Sequence, residues 1–434
     1  MVTLRAFAHG VGSRGDLPIP FWQFAWAAVA ALAISFVALG VLWKQPRLAE
    51  ASQGGSLGLL RLPVGLLAML WRALVLALFV LVVVAALFGT DFGPSNVAPV
   101  TIYVAFWVGL QFLAAFIGDV WSRVSPFDSV VALLGGSREG SRPAPWWTGW
   151  LAPLGLLVFL VLELVIPTGS EPRTLGWWLL GYTMVMVGAG LAWGRDWLRT
   201  GDGFAVLFHL LGTMSPLYRT DDGDVRWRWP FAGLSNVAMT VTQLSTVLVV
   251  LGGTTFDGFA ESEAWTDLVG RRSDWGGVPV KMLGLVFSIA LVWVLYEFAV
   301  RFTATSTRSN LEDVRLAFGP SLVPIVFGYT VAHYAQLLTD EIQTFTFRLS
   351  DPFGRGWNVF GTANNSINFD VISVDLIAWV QVLAIVVGHI AAVAVAHDRA
   401  VERYKAKGAL QSQYAMLFVM VLYSIAGLWL LMNA

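Results

Sequence analysis

The chain has 434 residues, of which 57% are hydrophobic and only 13% charged, with a formal net charge of -1 and no cysteine. A soluble domain carries about 25% charged residues, so this sequence lacks the polar surface to cover a globule. These totals exclude a basic nucleic-acid binder, a disulfide-rich secreted domain and a disordered protein. They predict an all-α polytopic integral membrane protein.

After an N-terminal tail, 1–20, apolar runs of about 20 residues can each cross ~30 Å of hydrocarbon. They predict ten spans near 21–43, 73–89, 98–119, 148–167, 174–193, 234–256, 281–301, 317–338, 372–396 and 412–432. Residues 21–434 therefore form a single transmembrane domain. The apolar stretch 62–70 precedes Arg72 and is read as an interfacial lead-in to the second span. Two further apolar runs, 127–134 after Ser125-Pro126 and 204–211 after Asp202-Gly203, open with helix-start signals. They are too short to span and are expected to lie as interfacial or re-entrant helices on the inner side. They follow two similar stretches at an offset of 76, Gly118-Asp119-Val120-Trp121-Ser122-Arg123 and Gly194-Arg195-Asp196-Trp197-Leu198-Arg199. Internal duplication and shared interface chemistry both account for that similarity.

Lys and Arg are richer in cytoplasmic loops. With the amino terminus outside, 19 of the 27 Lys and Arg fall on inner segments and 8 on outer ones. This places both termini outside an inner (plasma) membrane and makes 1–20 an exported tail. In that tail Ala6-Phe7-Ala8 has the small-x-small form of a cleavage site, although Met1–Arg5 contains no apolar signal core. It reads either as the remnant of a precursor cleaved before His9 or as a chance tripeptide. The longest outer loops are expected at 257–280 and 339–371, as functional lids or mobile linkers.

Ionisable residues inside spans are costly and are functional candidates by default. Here they are Asp119, Glu163, Glu297, His333, His389 and His397, with Gln111, Gln336 and Gln381 as uncharged partners. Asp119, Glu297 and His397 at inner span ends, and Glu163 near an outer end, read as solvated end residues. His209 reads as a packed, hydrogen-bonded histidine. His389 and His397 are about 12 Å apart along a helix, too far to share a metal. A proton path or a simple interhelical hydrogen bond remains for His389.

His333 shares a helix face with Tyr329, Gln336 and Asp340, and Pro320 and Pro324 permit a kink that would open this face to water. His9, Asp257, His333 and Asp340 or Glu341 can then form an outer-face cluster. His and carboxylate ligands suit zinc or a similar divalent ion holding a hydrolytic water, with His333 and Asp257 in the catalytic roles. No HxH or HExxH spacing supports the cluster, and a plain hydrogen bond from His333 to a neighbouring helix is the competing reading. No Walker loop, GxGxxG or GxSxG motif is present, so nucleotide-dependent chemistry has no support.

The elements Ala8-His9-Gly10, Arg14-Gly15-Asp16-Leu17-Pro18-Ile19-Pro20, Gly118-Asp119-Val120-Trp121, Ser125-Pro126-Phe127, Phe256-Asp257-Gly258, His333-Tyr334, Gly388-His389 and His397-Asp398-Arg399-Ala400 resemble the polytopic membrane proteins called fenitrothion hydrolases. That resemblance spans essentially the whole chain. It implies a membrane-bound hydrolase of lipophilic organophosphate triesters that cleaves an aryl P–O bond, and it carries no catalytic residues over. Two other functions fit the sequence. Ten spans divide as five plus five, the inverted arrangement of many secondary transporters. A subunit of a larger membrane complex, presenting its outer loops to a partner, is the third.

Overall fold

A helix satisfies every backbone N–H and C=O within one segment, as an open chain crossing hydrocarbon must. The apolar runs fold accordingly. The computed structural model describes residues 21–56, 64–220, 224–270, 274–404 and 406–433. The tail with Ala6-Phe7-Ala8 and His9 lies outside them.

The principal helices are α1 (Phe21–Leu42), α2 (Val64–Phe88), α3 (Val97–Ile117), α4 (Pro126–Leu133), α5 (Leu151–Leu164) and α6 (Pro172–Trp193). They continue with α7 (Gly203–Gly212), α8 (Val241–Glu261), α9 (Val278–Thr307), α10 (Val323–Ser350), α11 (Val374–Arg403) and α12 (Tyr414–Asn433). Among the described residues nine helices are long and apolar enough to cross a membrane. The protein is an all-α, membrane-embedded bundle whose outward apolar side chains meet lipid. Helix α8 runs among the nine with 21 residues; Gln243, its threonines and Asp257 make it less apolar, and 14 of its residues are buried.

Contacts between connections sort the helix ends onto two sides. On one side Asp398 accepts from Trp43 Nε1 (2.9 Å) and from the Arg47 N–H (2.7 Å). Arg72 Nε donates to the Arg123 carbonyl there. Strands β1 (Gly55–Ser56), β2 (Leu217–Arg219) and β3 (Val225–Trp227) close a small antiparallel sheet in the order β1-β3-β2 on the same side. On the opposite side Thr90 N–H donates to the Phe353 carbonyl and Arg173 pairs with Asp91. Phe36 meets Tyr414, and Phe24 packs with Leu428. Helices α1 and α12 are therefore antiparallel, and the first and last described residues share a side.

Several boundaries differ from the sequence expectation. Helix α2 is continuous from Val64, so no interfacial lead-in breaks it before Arg72. The Arg72 guanidinium reaches Asp128 at 3.1 Å as well as the Arg123 carbonyl, which removes the reason for a break. Asp257 lies inside α8, not in a loop at 257–280, and α10 continues to Ser350 through much of the expected loop 339–371. Pro320 sits in a short 3-10 turn and Pro324 in the first turn of α10. A missing N–H costs nothing in either place, so neither proline kinks the helix at His333.

Helix α3 contains a π-helical stretch, Val100–Gly109, whose residues 100–104, 107 and 108 are buried. At its end Gln111 is fully buried and accepts a 3.0 Å hydrogen bond from Thr330 of α10. Helices α10 and α11 touch backbone to backbone. A Cβ on Gly328 would lie 2.6 Å from the Ala384 carbonyl oxygen, and one on Gly388 2.8 Å from that of Pro324.

The two stretches related by an offset of 76 fold alike. Gly118 and Gly194 both end a long helix with positive φ, at 90° and 91°, a conformation glycine adopts without strain. Each is followed by a buried tryptophan, a single helical turn and a short helix. The copies also interlock, through Trp121 Nε1 on Asp202 and Arg195 on Asp128. Helix α4 is the more peripheral of the two short helices. In α7 every residue but His209 is buried, so α7 is packed within the bundle and not laid along its surface.

Candidate functional site

A carboxylate buried among apolar helices must find donors or lose its charge. Asp257, 1% exposed, finds two on α10. His333 Nε2 lies 2.8 Å from Asp257 Oδ2, and the Tyr334 hydroxyl donates to the same oxygen at 2.7 Å. His333 and Tyr334 are themselves buried. Sequence neighbours on a helix diverge by about 100°, yet both reach one oxygen, because Asp257 sits over the space between them. Their rings meet edge to face with centroids 4.6 Å apart, and Tyr329, one turn earlier, stacks on His333 at 6.1 Å.

Glu163, from α5, faces the same region. Its Oε2 is buried without a hydrogen-bond partner among the described residues. It is therefore an interior carboxyl beside the Asp257 cluster instead of a solvated end residue. Further along α12, Tyr423 shares a very short hydrogen bond with Thr255 of α8, and its ring centroid lies 6.2 Å from that of His389. His389 spends Nδ1 on the Ile385 carbonyl of its own helix at 2.8 Å, and its buried Nε2 has no partner among the described residues. The interior thus holds a file of polar side chains from Glu163 and Asp257 past His333, Tyr329 and Tyr423 to His389.

The remaining candidates are separate. Asp340 follows His333 by seven residues, about 10 Å along the axis, and does not join it; His9 is outside the described residues. Among those residues no three His, Asp or Glu side chains converge where a metal ion would sit. Asp257 and His333 fit a divalent ion in donor type, and among the described residues they supply two of the three ligands such a site needs.

Glu297 takes a two-pronged contact from Arg315. His397 is 2% exposed, with Nε2 on the Trp43 carbonyl at 2.8 Å and Nδ1 against Gln413, so it is a packing residue and not a solvated end. Asp119 lies outside the spans and bonds His209 Nδ1 at 3.1 Å. The His209 ring is 56% exposed, so it keeps its hydrogen bond but is not packed in the core. Burial alone would raise the Asp119 carboxyl; His209 and the Ser122 N–H outweigh it and hold it below its ordinary value.

Sequence reasoning passed over Asp128, which binds Arg195 through two 2.7 Å contacts and Arg72 through a third. It gave Tyr334 and Tyr423 no role. A tyrosine in an apolar span gives no charge signal, and only the tertiary contact reveals it. No protein-family model, curated protein or solved structure matches this chain.

Proposed function

We propose that the protein is a proton-coupled membrane transporter in which Asp257, His333 and Tyr334 hold the coupling proton. The observation that carries this reading is the single oxygen, Asp257 Oδ2, shared by two donors of another helix in the bundle interior. Ionised, that oxygen ties α8 to α10. Protonated, it loses acceptor capacity and releases one or both donors, so a proton selects between two arrangements of the helix pair. Glu163, whose Oε2 has no hydrogen-bond partner among the described residues, and the file toward His389 supply stations for proton exchange. The excess of Lys and Arg on the side of Arg72 and Arg399 supports a plasma-membrane orientation with both termini outside.

Infrared difference spectra of the reconstituted protein between two pH values test the site. A carboxyl C=O band that disappears in Asp257→Asn and shifts in His333→Gln is expected. Spectra unchanged by either substitution would overturn the assignment.

The same pair favours a second reading, hydrolysis of lipophilic phosphotriesters as the resemblance to fenitrothion hydrolases implies. Asp257 would orient His333, which would take the proton of a water attacking phosphorus while the aryloxide departs. A zinc-like ion there would polarise the phosphoryl oxygen. Aryl phosphotriester turnover by purified protein, reduced at least tenfold in His333→Ala, would favour this reading; no turnover would remove it.

A further inference from the structure

We infer that the face between α2, α3, α4 and α6 holds one anionic glycerophospholipid, its phosphate among arginines and an acyl chain in the adjoining apolar cleft. The arginines are Arg72 of α2, Arg138 after α4, and Arg195 and Arg199 after α6. They surround a recess of about 40 Å³, enough for a few waters or one oxyanion. Asp128 neutralises Arg72 and Arg195 in part, whereas neither Arg138 nor Arg199 has an ion pair among the described residues. Ser122 and Ser125 also line the recess. Asp202 at its floor lies outside the spans. Burial pushes its carboxyl above the usual range, against the opposing bonds from Trp121, Tyr182 and the Phe204 N–H. Four arginines thus face three carboxyl groups, those of Asp128, Asp196 and Asp202, and the formal balance is positive.

The second half of the site is apolar. A cleft of about 190 Å³ runs between the same helices, with Phe79, Ile102, Phe106, Phe127 and Trp178 in its walls. Trp121 lines both recess and cleft, and its indole N–H is fixed on Asp202 at 3.0 Å. A free phosphate would use the recess and leave the cleft empty, and an uncharged lipid would use the cleft and leave the arginines idle. One molecule with an anionic head and an aliphatic tail satisfies both. Basic pockets between spans at the charged side of a membrane protein recognise such headgroups.

Thermal unfolding of the full chain in detergent tests the assignment. Added dioleoylphosphatidylglycerol is expected to raise Tm, while dioleoylphosphatidylcholine and inorganic phosphate have little effect. Arg138 and Arg199 are exposed, so Arg138→Ala/Arg199→Ala folds and should need at least about tenfold more phosphatidylglycerol for the same shift, in line with the attraction each basic residue supplies. Ala105→Phe, which fills the cleft, should weaken the response without removing the arginines. Three results would overturn the proposal: an equal shift with phosphatidylcholine, an equal shift with phosphate alone, or an undiminished phosphatidylglycerol response in the arginine variant.

Discussion

Arg195 grips Asp128 with two 2.7 Å hydrogen bonds, joining the second of the two stretches related by an offset of 76 to the short helix α4 that follows the first. Asp128 also holds Arg72, so one carboxylate ties α2, α4 and the turn after α6 together. Arg195→Lys cannot reproduce the planar two-pronged contact. It should cost about 1 kcal/mol, and Asp128→Ala about 2–3 kcal/mol, because two partly buried guanidinium groups lose their partner. Unfolding midpoints in one detergent compare both with the parent chain.

The carboxyls of Asp119 and Asp202, outside the spans, bend the pH profile of stability in opposite directions. Asp119 is held below its ordinary value, despite its burial, by His209 and Ser122. Its contribution is complete above about pH 4 and lost as pH falls through the lowered folded value. Burial raises Asp202, so its contribution is complete below about pH 4 and lost as pH rises through the raised value. Asp119→Asn should therefore lose stability at neutral pH, by less than about 1 kcal/mol given the exposed partner ring, and respond less to acid. Asp202→Asn should flatten the decline above about pH 4. Tm measured from pH 3 to 8 checks both signs, and parallel curves for parent and variants would refute them.

Gly328 and Gly388 let α10 and α11 touch at the backbone. Gly328→Ala places a methyl group against the Ala384 carbonyl and should cost about 2 kcal/mol or more through overpacking. Gly181→Ala in α6 has open space around the new methyl and should be neutral or stabilising by about 0.5 kcal/mol. Equal Tm values for these two variants would contradict the close crossing.

The alternation of sides gives a topological prediction. A reporter fused at Gly408 should be cytoplasmic and one at Asn433 exterior. Both on one side would mean that α12 does not cross.

The spans were readable because an apolar run of about 20 residues has few folds open to it in lipid. What escaped was set by packing. Asp257 reads as a loop residue because Thr254, Thr255 and Gly258 dilute the end of α8, yet Thr254, Phe256, Asp257 and Gly258 are buried there, with Asp257 Oδ2 held by His333 and Tyr334 of α10 and Thr255 against Tyr423 of α12. Glu163 and Arg72 misled in complementary ways. An acid near a span end reads as solvated, yet the Glu163 Oε2 is buried; a base inside an apolar run reads as a boundary, yet Arg72 is paired with Asp128. The meeting of Asp257 with His333 was open to sequence reasoning through their matching depth, whereas Tyr334 was hidden by having no charge.

The π-helical stretch of α3 carries a consequence for motion. Closing i→i+5 hydrogen bonds, it turns less per residue than an α-helix, which closes i→i+4. If Val100–Gly109 rewound as α-helix, everything beyond it would rotate about the helix axis and slide outward along it. Gln111 would then swing off Thr330, and a different row of side chains would face α10. Because α3 and α10 also meet through Phe112 and Phe116 on Phe327, rewinding the π-helical stretch would re-pair this whole face at once, and the size of the step would follow from backbone winding.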